Sequence, residues 1–418
     1  MLQLVFGRSG YGKTEYIRNR IADKIDRGET QVLLITPEQY SFISEYSLLE
    51  QLGEARAHAV RCLSFSRLCD ECDRLYGADG RKPLTKGGKA ILMKTAIDQV
   101  RPDLELFEKK GSSSAFVQSM TGIYDEMKSC NLSGAAVYAA ADDLDTDILR
   151  CKMRDFSRIM TAYEALLGDR FADPANRLTR LYDQIKDQNY FAGQTVFLDG
   201  FNGFVAQEYK ILERIIAEAK AVYIALDSDS FGTGDGYDLF AYVNETAGIL
   251  QRIADKAGVP TNALQLSENC RTDYADLRRV EQYIFADQAP ETEIPAEHIR
   301  LYAASTVTDA CNDLALQIKG LLRCGYRAGE IAVTMRDREK YAPVLASAFE
   351  KYGVPYYADQ RQPVTAQPIL VFPMYLMRSV IYGWRSDDLF SLIKTGLTDV
   401  SDSPDLHRTE NYVYTWGI

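Results

Sequence analysis

The residues with the clearest chemical potential lie at the start of the chain, in the segment 7–14, Gly-Arg-Ser-Gly-Tyr-Gly-Lys-Thr. This segment has the spacing G-x-x-x-x-G-K-[ST] of a phosphate-binding P-loop. Lys13 would reach the β- and γ-phosphates of a nucleotide, and the Thr14 hydroxyl would bind Mg²⁺. Backbone N–H groups would hold the phosphates at Gly7, Ser9, Gly10 and Gly12, helped by the positive end of the following helix. The pattern predicts an ATP–Mg²⁺ site; the alternative is a glycine-rich turn without a ligand.

Phosphate chemistry of this kind also needs a carboxylate at the end of a neighbouring strand, where it holds the metal ion. Asp199 ends the apolar run 195–198 and is our candidate magnesium ligand, with a simple turn aspartate as the alternative. The next position, where a glutamate that orients the attacking water is expected, is Gly200. The sequence therefore predicts nucleotide binding with little or no hydrolysis.

Two segments that follow strands, 36–42 and 63–68, carry side chains suited to single-stranded nucleic acid. Aromatic rings stack on bases, arginine binds phosphate or guanine, and glutamine or serine reads base edges. The candidate DNA-binding residues are Gln39, Ser41, Phe65, Arg67, Phe201 and Phe204. We expect the first five to converge on one exposed channel, because open α/β sheets place ligands at the carboxyl ends of strands. The alternative is that the aromatic residues belong to the core.

The eight cysteines show no disulfide-framework spacing, which is typical of a reduced, cytoplasmic protein. Cys69 and Cys72 form a single C-x-x-C pair, with Cys62 nearby. No second pair follows, and we favour a structural role over metal binding. We therefore expect neither an iron–sulfur cluster nor stoichiometric zinc in this chain.

Length and composition predict two or three ordinary globular domains, since 418 residues include 46% hydrophobic and 26% charged residues. The net charge of -11 argues against general electrostatic binding to duplex DNA. It leaves room for a local channel that holds one strand. We expect no signal peptide and no membrane span, because Met1 leads directly into an apolar strand and no apolar run is long enough.

The elements that must position these residues begin with strands and helices alternating over 1–75. From about Pro83 to Tyr190 the pattern is helical, without a convincing strand, and apolar strands return at 195–199 and 221–227. This order predicts one α/β domain, 1–80 and 170–285, interrupted by a helical insertion at 81–169.

A Pro- and Glu-rich linker at 288–295 precedes a second α/β block. We predict strands there at 299–303 and 331–335, with helices around 308–323 and 340–352. The corresponding domain would cover 297–385. Residues 386–418 would begin a further helical insertion, cut short at an apolar end that resembles a fragment boundary.

Taken in order, these motifs resemble the N-terminal, helicase-like region of the AddB (RexB) family, over essentially the whole chain. The glycine loop, Thr-Pro-Glu-Gln at 36–39 and Ser-Phe-Ser-Arg-Leu at 64–68 are similar to the first three motifs of UvrD-type helicases. Asp199 stands in the Walker B position. Arg271, within 268–272, corresponds to the arginine that reaches the γ-phosphate in active helicases. The third-motif region, 227–229, lacks its usual glutamine.

The resemblance implies RecA-like (P-loop NTPase) parallel-sheet domains with helical insertions. It also implies an inactivated helicase scaffold within an ATP-dependent helicase/exonuclease, in a heterodimer with an AddA-type subunit. This scaffold would act in double-strand-break repair by homologous recombination, binding the unwound single strand and scanning it for the Chi hotspot. The family's nuclease domain and 4Fe-4S cluster would lie beyond residue 418. Two alternatives are an active DNA-stimulated ATPase, and a nucleotide-gated interaction module without DNA binding.

Overall fold

The computed structural model describes residues 1–109, 113–229, 239–286, 290–291, 293–358, 364–401 and 403–417. The chain divides into two compact units, Met1–Arg300 and Leu301–Ile418, and each is described by itself. Within the described ranges, every helix is too short or too polar to cross a lipid bilayer.

The strands define the first unit. They are β1 (Leu2–Gly7), β2 (Val32–Ile35), β3 (Val60–Leu63), β4 (Lys82–Pro83), β5 (Phe171–Ala172), β6 (Thr195–Leu198), β7 (Ala221–Asp227) and β8 (Thr261–Gln265). Six of them form one parallel sheet in the order β3-β2-β6-β7-β1-β8. This confirms the expected α/β, RecA-like parallel-sheet fold.

Helices cover the sheet and build the rest of the chain. In the first unit they are α1 (Lys13–Asp26), α2 (Ser41–Leu52), α3 (Glu54–Ala57), α4 (Phe65–Tyr76), α5 (Lys86–Val100), α6 (Ser114–Ser129), α7 (Gly134–Ala141), α8 (Asp147–Leu167), α9 (Arg177–Ile185), α10 (Ala206–Glu218), α11 (Ala241–Lys256) and α12 (Ala275–Tyr283). In the second they are α13 (Val307–Arg323), α14 (Arg338–Tyr352), α15 (Pro368–Ile381), α16 (Ser386–Ile393) and α17 (Pro404–Trp416).

The central strands are apolar at nearly every position because helices cover both faces of the sheet. In β6, Val196 and Leu198 belong to one core layer, whereas Phe197 between them belongs to the layer on the opposite face. This alternation follows from the period of two along a strand. All strands of the sheet run the same way, so the carboxyl ends of β1, β6 and β7 lie at one edge. There, Gly7 is directly in register with Asp227.

The helical segment between β4 and β5 has its own core, built by α5, α6 and α8 around the buried rings of Tyr124 and Tyr163. The two-residue strands β4 and β5 pair in parallel where this segment begins and ends. The expectation of no strand from about Pro83 to Tyr190 is therefore wrong at β4, where that range begins, and at β5, which lies within it. Each strand has only two residues, too few to show a recognisable alternation of apolar and polar side chains.

The edge strand β8 is not predicted from the sequence. Its residues are half-buried or exposed, and it pairs with β1 alone in the described part of the sheet. An edge strand with polar side chains lacks the continuous apolar run that identifies the central strands.

In the second unit, α13 and α14 pack around a small core and confirm the helices expected at 308–323 and 340–352. The strands expected at 299–303 and 331–335 are wrong: neither segment is in a strand in the described residues. Ile331, Val333 and Met335 do alternate inward against α13 and α14, as in a strand. A strand also requires a hydrogen-bonded neighbour, and the described part of this unit provides none. Of the predicted linker, residues 288, 289 and 292 lie outside the described residues.

Candidate nucleotide-binding site

The loop between β1 and α1 has the backbone geometry of a phosphate cradle. Gly10 (φ +90°) and Gly12 (φ +79°) both lie in the left-handed region, and α1 begins directly after Gly12. A Cβ atom added at Gly10 would lie 2.9 Å from the Cβ of Arg271. Glycine is therefore required at this position by both its backbone angle and its close neighbour.

Lys13 is fully engaged at the base of this loop. Its Nζ donates hydrogen bonds to the carbonyls of Gly7 (2.7 Å) and Arg8 (2.9 Å). The same atom forms an ion pair with Asp227, 2.5 Å from Oδ1. A lysine ammonium has three N–H donors, so these three partners account for all of them.

Asp199 lies where the sequence predicts it, just after β6 and facing the start of α1. The Thr14 side chain and the backbone N–H of Gly200 lie beside the Asp199 carboxylate and favour its charged form. Burial raises the pKa of Asp199, and the Thr14 side chain, the Gly200 backbone and the nearby Lys13 charge only partly oppose this. A desolvated carboxylate beside a hydroxyl oxygen is a donor set that fits Mg²⁺.

The position directly after Asp199 is Gly200, and its backbone conformation is suited to glycine. Its φ is +83°, and an added Cβ would contact the Pro37 ring at 3.4 Å. A residue with a side chain would be strained in this left-handed conformation, by roughly 1–2 kcal/mol. The backbone at this position is therefore adapted to glycine.

The segment around Arg271 closes the other side of the cradle. The Cys270 N–H donates to the Gly10 carbonyl (2.8 Å), and Arg271 Nη1 donates to the Ser9 hydroxyl (3.2 Å). The Asn269 carboxamide oxygen accepts from the backbone N–H groups of Arg271 (2.9 Å) and Thr272 (3.3 Å), which fixes this turn. Arg271 is exposed and lies over the loop, where it can reach a bound phosphate.

Together these groups surround a cleft of about 430 Å³. Its lining includes the predicted nucleotide-binding residues Ser9, Gly10, Gly12, Lys13, Thr14, Asp199 and Arg271, together with Glu15, Arg18, Gly200, Phe201, Ala225, Asp227 and Cys270. Gly7 lies beneath the cleft, where its carbonyl accepts from Lys13. The residues present are thus those that a nucleotide phosphate and its metal ion require.

A second contact of the loop is one that the sequence analysis misses. Arg8 donates from Nε to the Glu281 carboxylate (2.7 Å) and from Nη2 to the Glu281 carbonyl (2.6 Å). Tyr11 donates its hydroxyl to the same carboxylate (3.3 Å). Burial, and then the charge of Glu281, raise the pKa of Tyr11. The loop is thereby tied to α12, a link between distant segments that no local spacing signals.

The candidate DNA-binding residues separate into buried and accessible groups. Phe65 and Phe204 are each 6% exposed and belong to the main core, where their rings meet edge to face at 6.5 Å. Ser41 is also buried, with its hydroxyl donating to the Glu38 carbonyl (3.2 Å). The expectation of one exposed channel is wrong for Phe65 and Ser41, and Phe204 is no more accessible. The cause is packing at the strand ends, where the Phe65 ring of α4 packs against the Phe204 ring of the 200–205 loop.

The remaining three candidates are accessible. Gln39 is exposed, and Phe201 is half-buried beside Phe65 at a ring distance of 5.8 Å. Arg67 is held by Glu45, 3.2 Å from its Nη1, with its side chain 43% exposed. Whether these residues contact DNA stays a prediction. Two further exposed aromatic residues, Tyr40 and Phe42, lie close to Gln39 in the chain and are not among the candidates from the sequence.

The cysteines near the C-x-x-C pair are buried thiols. Burial raises the pKa of Cys62 and Cys69 to about 11 and that of Cys72 to about 12. Metal ligation and nucleophilic attack both require the thiolate, so these values favour a packing role. In the described ranges, no three Cys, His, Asp or Glu side chains are grouped so as to hold a metal ion.

Comparison with known proteins agrees with the motif order. Residues 4–281 match the family described as "ADDB, N-terminal". The whole chain aligns with proteins named as the B subunit of an ATP-dependent helicase/deoxyribonuclease, at 27% identity over 429 residues in Clostridium botulinum (strain Langeland / NCTC 10281 / Type F) and 28% over 435 residues in Clostridioides difficile (strain 630). A relative from Thermoanaerobacter sp. (strain X514) is 26% identical over 424 residues. The chain spans 37% of the length of these relatives. Because the family match extends over well more than half of its residues, the chain belongs to the AddB N-terminal family.

Proposed function

We propose that this chain is the helicase-like part of an AddB-type subunit that binds ATP–Mg²⁺ and hydrolyses it little or not at all. One observation carries the proposal: the cleft brings Lys13, Thr14 and Asp199 together but ends in a left-handed Gly200. The first three residues are the binding set of a P-loop site. Gly200 stands at the position from which an active enzyme orients its attacking water with a carboxylate.

Each group of the cleft has a defined task in binding. Backbone N–H groups of the loop and the N-terminus of α1 would orient the phosphates, and Lys13 would exchange one of its present partners for a phosphate oxygen. Thr14 and Asp199 would hold Mg²⁺, which neutralises phosphate charge when bound. Arg271 would contact the outermost phosphate from the other side of the cleft.

The function of the whole assembly is part of the same proposal. The relatives are named as one subunit of a helicase/deoxyribonuclease, and a protein of that kind has a partner. We propose a cytoplasmic heterodimer with an AddA-type subunit, which processes DNA ends in double-strand-break repair by homologous recombination. This chain would receive the unwound single strand and scan it for the Chi hotspot, through the accessible residues Gln39, Arg67 and Phe201.

Nucleotide titration tests the first part. We expect the unmodified protein to bind a fluorescent ATP analogue in the presence of Mg²⁺, and Lys13→Ala to weaken binding about 10- to 100-fold, as for loss of a charge-assisted hydrogen bond. Lys94→Ala, an exposed lysine on α5, is the control and should leave the affinity unchanged. Steady ATP turnover that is stimulated by DNA and abolished by Lys13→Ala would instead favour the alternative of an active DNA-stimulated ATPase.

Strand reading is tested in the complex reconstituted from full-length subunits. Phe201→Ala should weaken single-strand binding by about 1–3 kcal/mol if the ring stacks on a base. Arg67→Ala should impair the hotspot response more than the unwinding rate if the guanidinium reads a base. Arg74→Ala, on the same helix, is the matched control. An unchanged hotspot response in both variants would refute this part of the proposal.

A further inference from the structure

The carboxylate of Asp227 occupies an unexpected place in the cleft. It ends the buried strand β7 and lies in register with Gly7, so the fold brings it to the base of the phosphate loop. There it contacts the Lys13 ammonium at 2.5 Å. The Asp227 side chain is 44% exposed, whereas that of Lys13 is only 10% exposed.

We propose that the Asp227 carboxylate competes with a nucleotide phosphate for contact with the Lys13 ammonium. This competition makes the site bind metal-bound nucleotide in preference to metal-free nucleotide. This inference rests on the proposed nucleotide binding and adds a specificity-determining residue to it.

The three partners of Lys13 differ in how easily they can be exchanged. The Gly7 and Arg8 carbonyls belong to the loop backbone, which is fixed by β1 and by the contact of Arg8 with Glu281. Asp227 is a side chain with almost half of its surface in solvent, and it can turn away and be hydrated. An incoming phosphate therefore displaces the carboxylate and leaves the carbonyls in place.

Charge explains why this exchange favours the metal-bound nucleotide. A phosphate and the Asp227 carboxylate are both anions, and they repel each other across the few ångströms that separate them at Lys13. A free nucleotide brings its full negative charge to this point. A magnesium-bound nucleotide brings less, so the repulsion from Asp227 is smaller.

Asp227 differs in this respect from Asp199. Asp199 is half-buried, with its pKa raised by desolvation, and lies beside Thr14, as suits a metal ligand, whereas the Asp227 side chain is 44% exposed and already paired with Lys13. The two carboxylates at neighbouring strand ends thus have opposite effects on the ligand: one attracts the metal ion and the other repels uncompensated phosphate.

Isothermal titration calorimetry tests the proposal by measuring the affinity for ATP in Mg²⁺ and in EDTA, for the unmodified protein and for Asp227→Asn. We expect Asp227→Asn to tighten binding about three- to tenfold in EDTA and less than about twofold with Mg²⁺. Glu245→Gln removes an exposed carboxylate from α11 and should change neither affinity.

Three other outcomes would each overturn one of the proposals. Unchanged or weaker binding in EDTA overturns the proposal. Weaker binding of Asp227→Asn only with Mg²⁺ would make Asp227 a metal ligand, which also overturns it. If the unmodified protein and Asp227→Asn bind no nucleotide at all, the proposed function itself fails.

A measurement without nucleotide tests the contact directly. Trace acetylation followed by mass spectrometry should label Lys13 at least about twofold faster in Asp227→Asn, because the ammonium loses a charged partner. Labelling of Lys94 in the same sample serves as the internal reference. An unchanged Lys13 rate would mean that Asp227 does not hold this lysine in solution, and the proposal would fail.

Discussion

Lys13 and Lys89 are both nearly buried lysines paired with an aspartate. The Lys13 contact must be replaceable if a ligand binds there, whereas the Lys89 contact belongs to a core. In the candidate nucleotide cleft, Lys13 (10% exposed) contacts Asp227, whose side chain is 44% exposed. In the helical segment, Lys89 (9% exposed) contacts two aspartates: Asp173, whose side chain is completely buried, at 2.9 Å, and Asp125, whose carboxylate is 51% exposed. The accessibility of the anion, more than the pairing itself, therefore separates a replaceable contact from a permanent one.

The surroundings of Asp173 explain its permanence. Its carboxylate accepts from Lys89, from the Tyr163 hydroxyl (2.6 Å) and from the backbone N–H of Ala175 (2.9 Å). Burial, and then the hydrogen bond with Asp173, raise the pKa of Tyr163, which remains a donor at neutral pH. These partners all come from the protein, so removing one leaves a buried charge that water cannot reach.

The largest effect is expected for Lys89→Met, which keeps the length of the side chain and removes its charge. We predict a loss of about 3–5 kcal/mol in the free energy of unfolding, measured by urea denaturation, because Asp173 stays buried without its cation. Lys94→Met on the same helix breaks an exposed pair with Asp98 and should cost about 0.5 kcal/mol or less. Similar losses in both variants would contradict the distinction between replaceable and permanent pairs.

Tyr163→Phe removes a different partner of the same carboxylate and should cost about 1.5–3 kcal/mol, as expected for a hydrogen bond to a charged group. Tyr138→Phe, a half-exposed tyrosine on α7, is the control and should have little effect on the free energy of unfolding. The double variant with Lys89→Met should be non-additive, since both side chains bind Asp173. Additive free energies of unfolding would show that the two contacts act independently.

Local signals in the sequence predict much of the candidate nucleotide-binding site. The glycine loop, the strand before it and the helix after it lie within one short segment, and Asp199 directly follows an apolar strand. The contact of Lys13 with Asp227 depends on β7 pairing with β1, which requires knowledge of the strand order. The burial of Phe65 and Phe204 likewise depends on packing between segments that are distant in sequence.

The buried Lys89 pair has a sequence signal of its own, on one face of α5. Lys89 lies on the same face as the buried Met93, Ala96 and Ile97, at helical spacings of four, seven and eight residues. A lysine on an apolar helix face indicates either that its ammonium group reaches solvent or that it contacts a buried anion. The identity of that anion cannot be predicted, because Asp173 comes from the segment that returns to the sheet.

Glu29 is an intermediate case, a partly buried carboxylate that contacts two lysines. Burial alone would raise its pKa, but hydrogen bonds from Lys220 (2.8 Å), Thr195 (2.7 Å) and Lys24 (3.3 Å) lower the pKa to about 2. A lowered carboxylate pKa stabilises the folded state above the unfolded value of 4.5, and this contribution is lost as the pH falls from 4.5 towards 2.

Glu29→Gln should therefore lower the free energy of unfolding by about 1–2 kcal/mol at pH 7, and by less at each step below pH 4.5. Urea denaturation of both proteins between pH 7 and about pH 3.5 measures this difference. The exposed Glu54 provides the control substitution, Glu54→Gln, with no expected pH-dependent difference. A difference that stays constant with pH would mean that ionisation of Glu29 does not contribute.

The smallest effect on stability is expected for Lys13→Met, the same substitution as Lys89→Met in the other region. Asp227 loses its cation but is exposed enough to be hydrated, and the Gly7 and Arg8 carbonyls keep their positions in the loop. The free energy of unfolding without nucleotide should fall by about 1 kcal/mol or less, because Asp227 and the two loop carbonyls lie at an open cleft where water can replace the ammonium. Nucleotide should stabilise the unmodified protein more than Lys13→Met at the same concentration, because a ligand that binds only the folded state raises its stability by an amount that grows with its affinity. Thermal denaturation with and without ATP–Mg²⁺ measures both quantities, and a loss in Lys13→Met as large as that in Lys89→Met would show that exposure of the anion does not decide the cost.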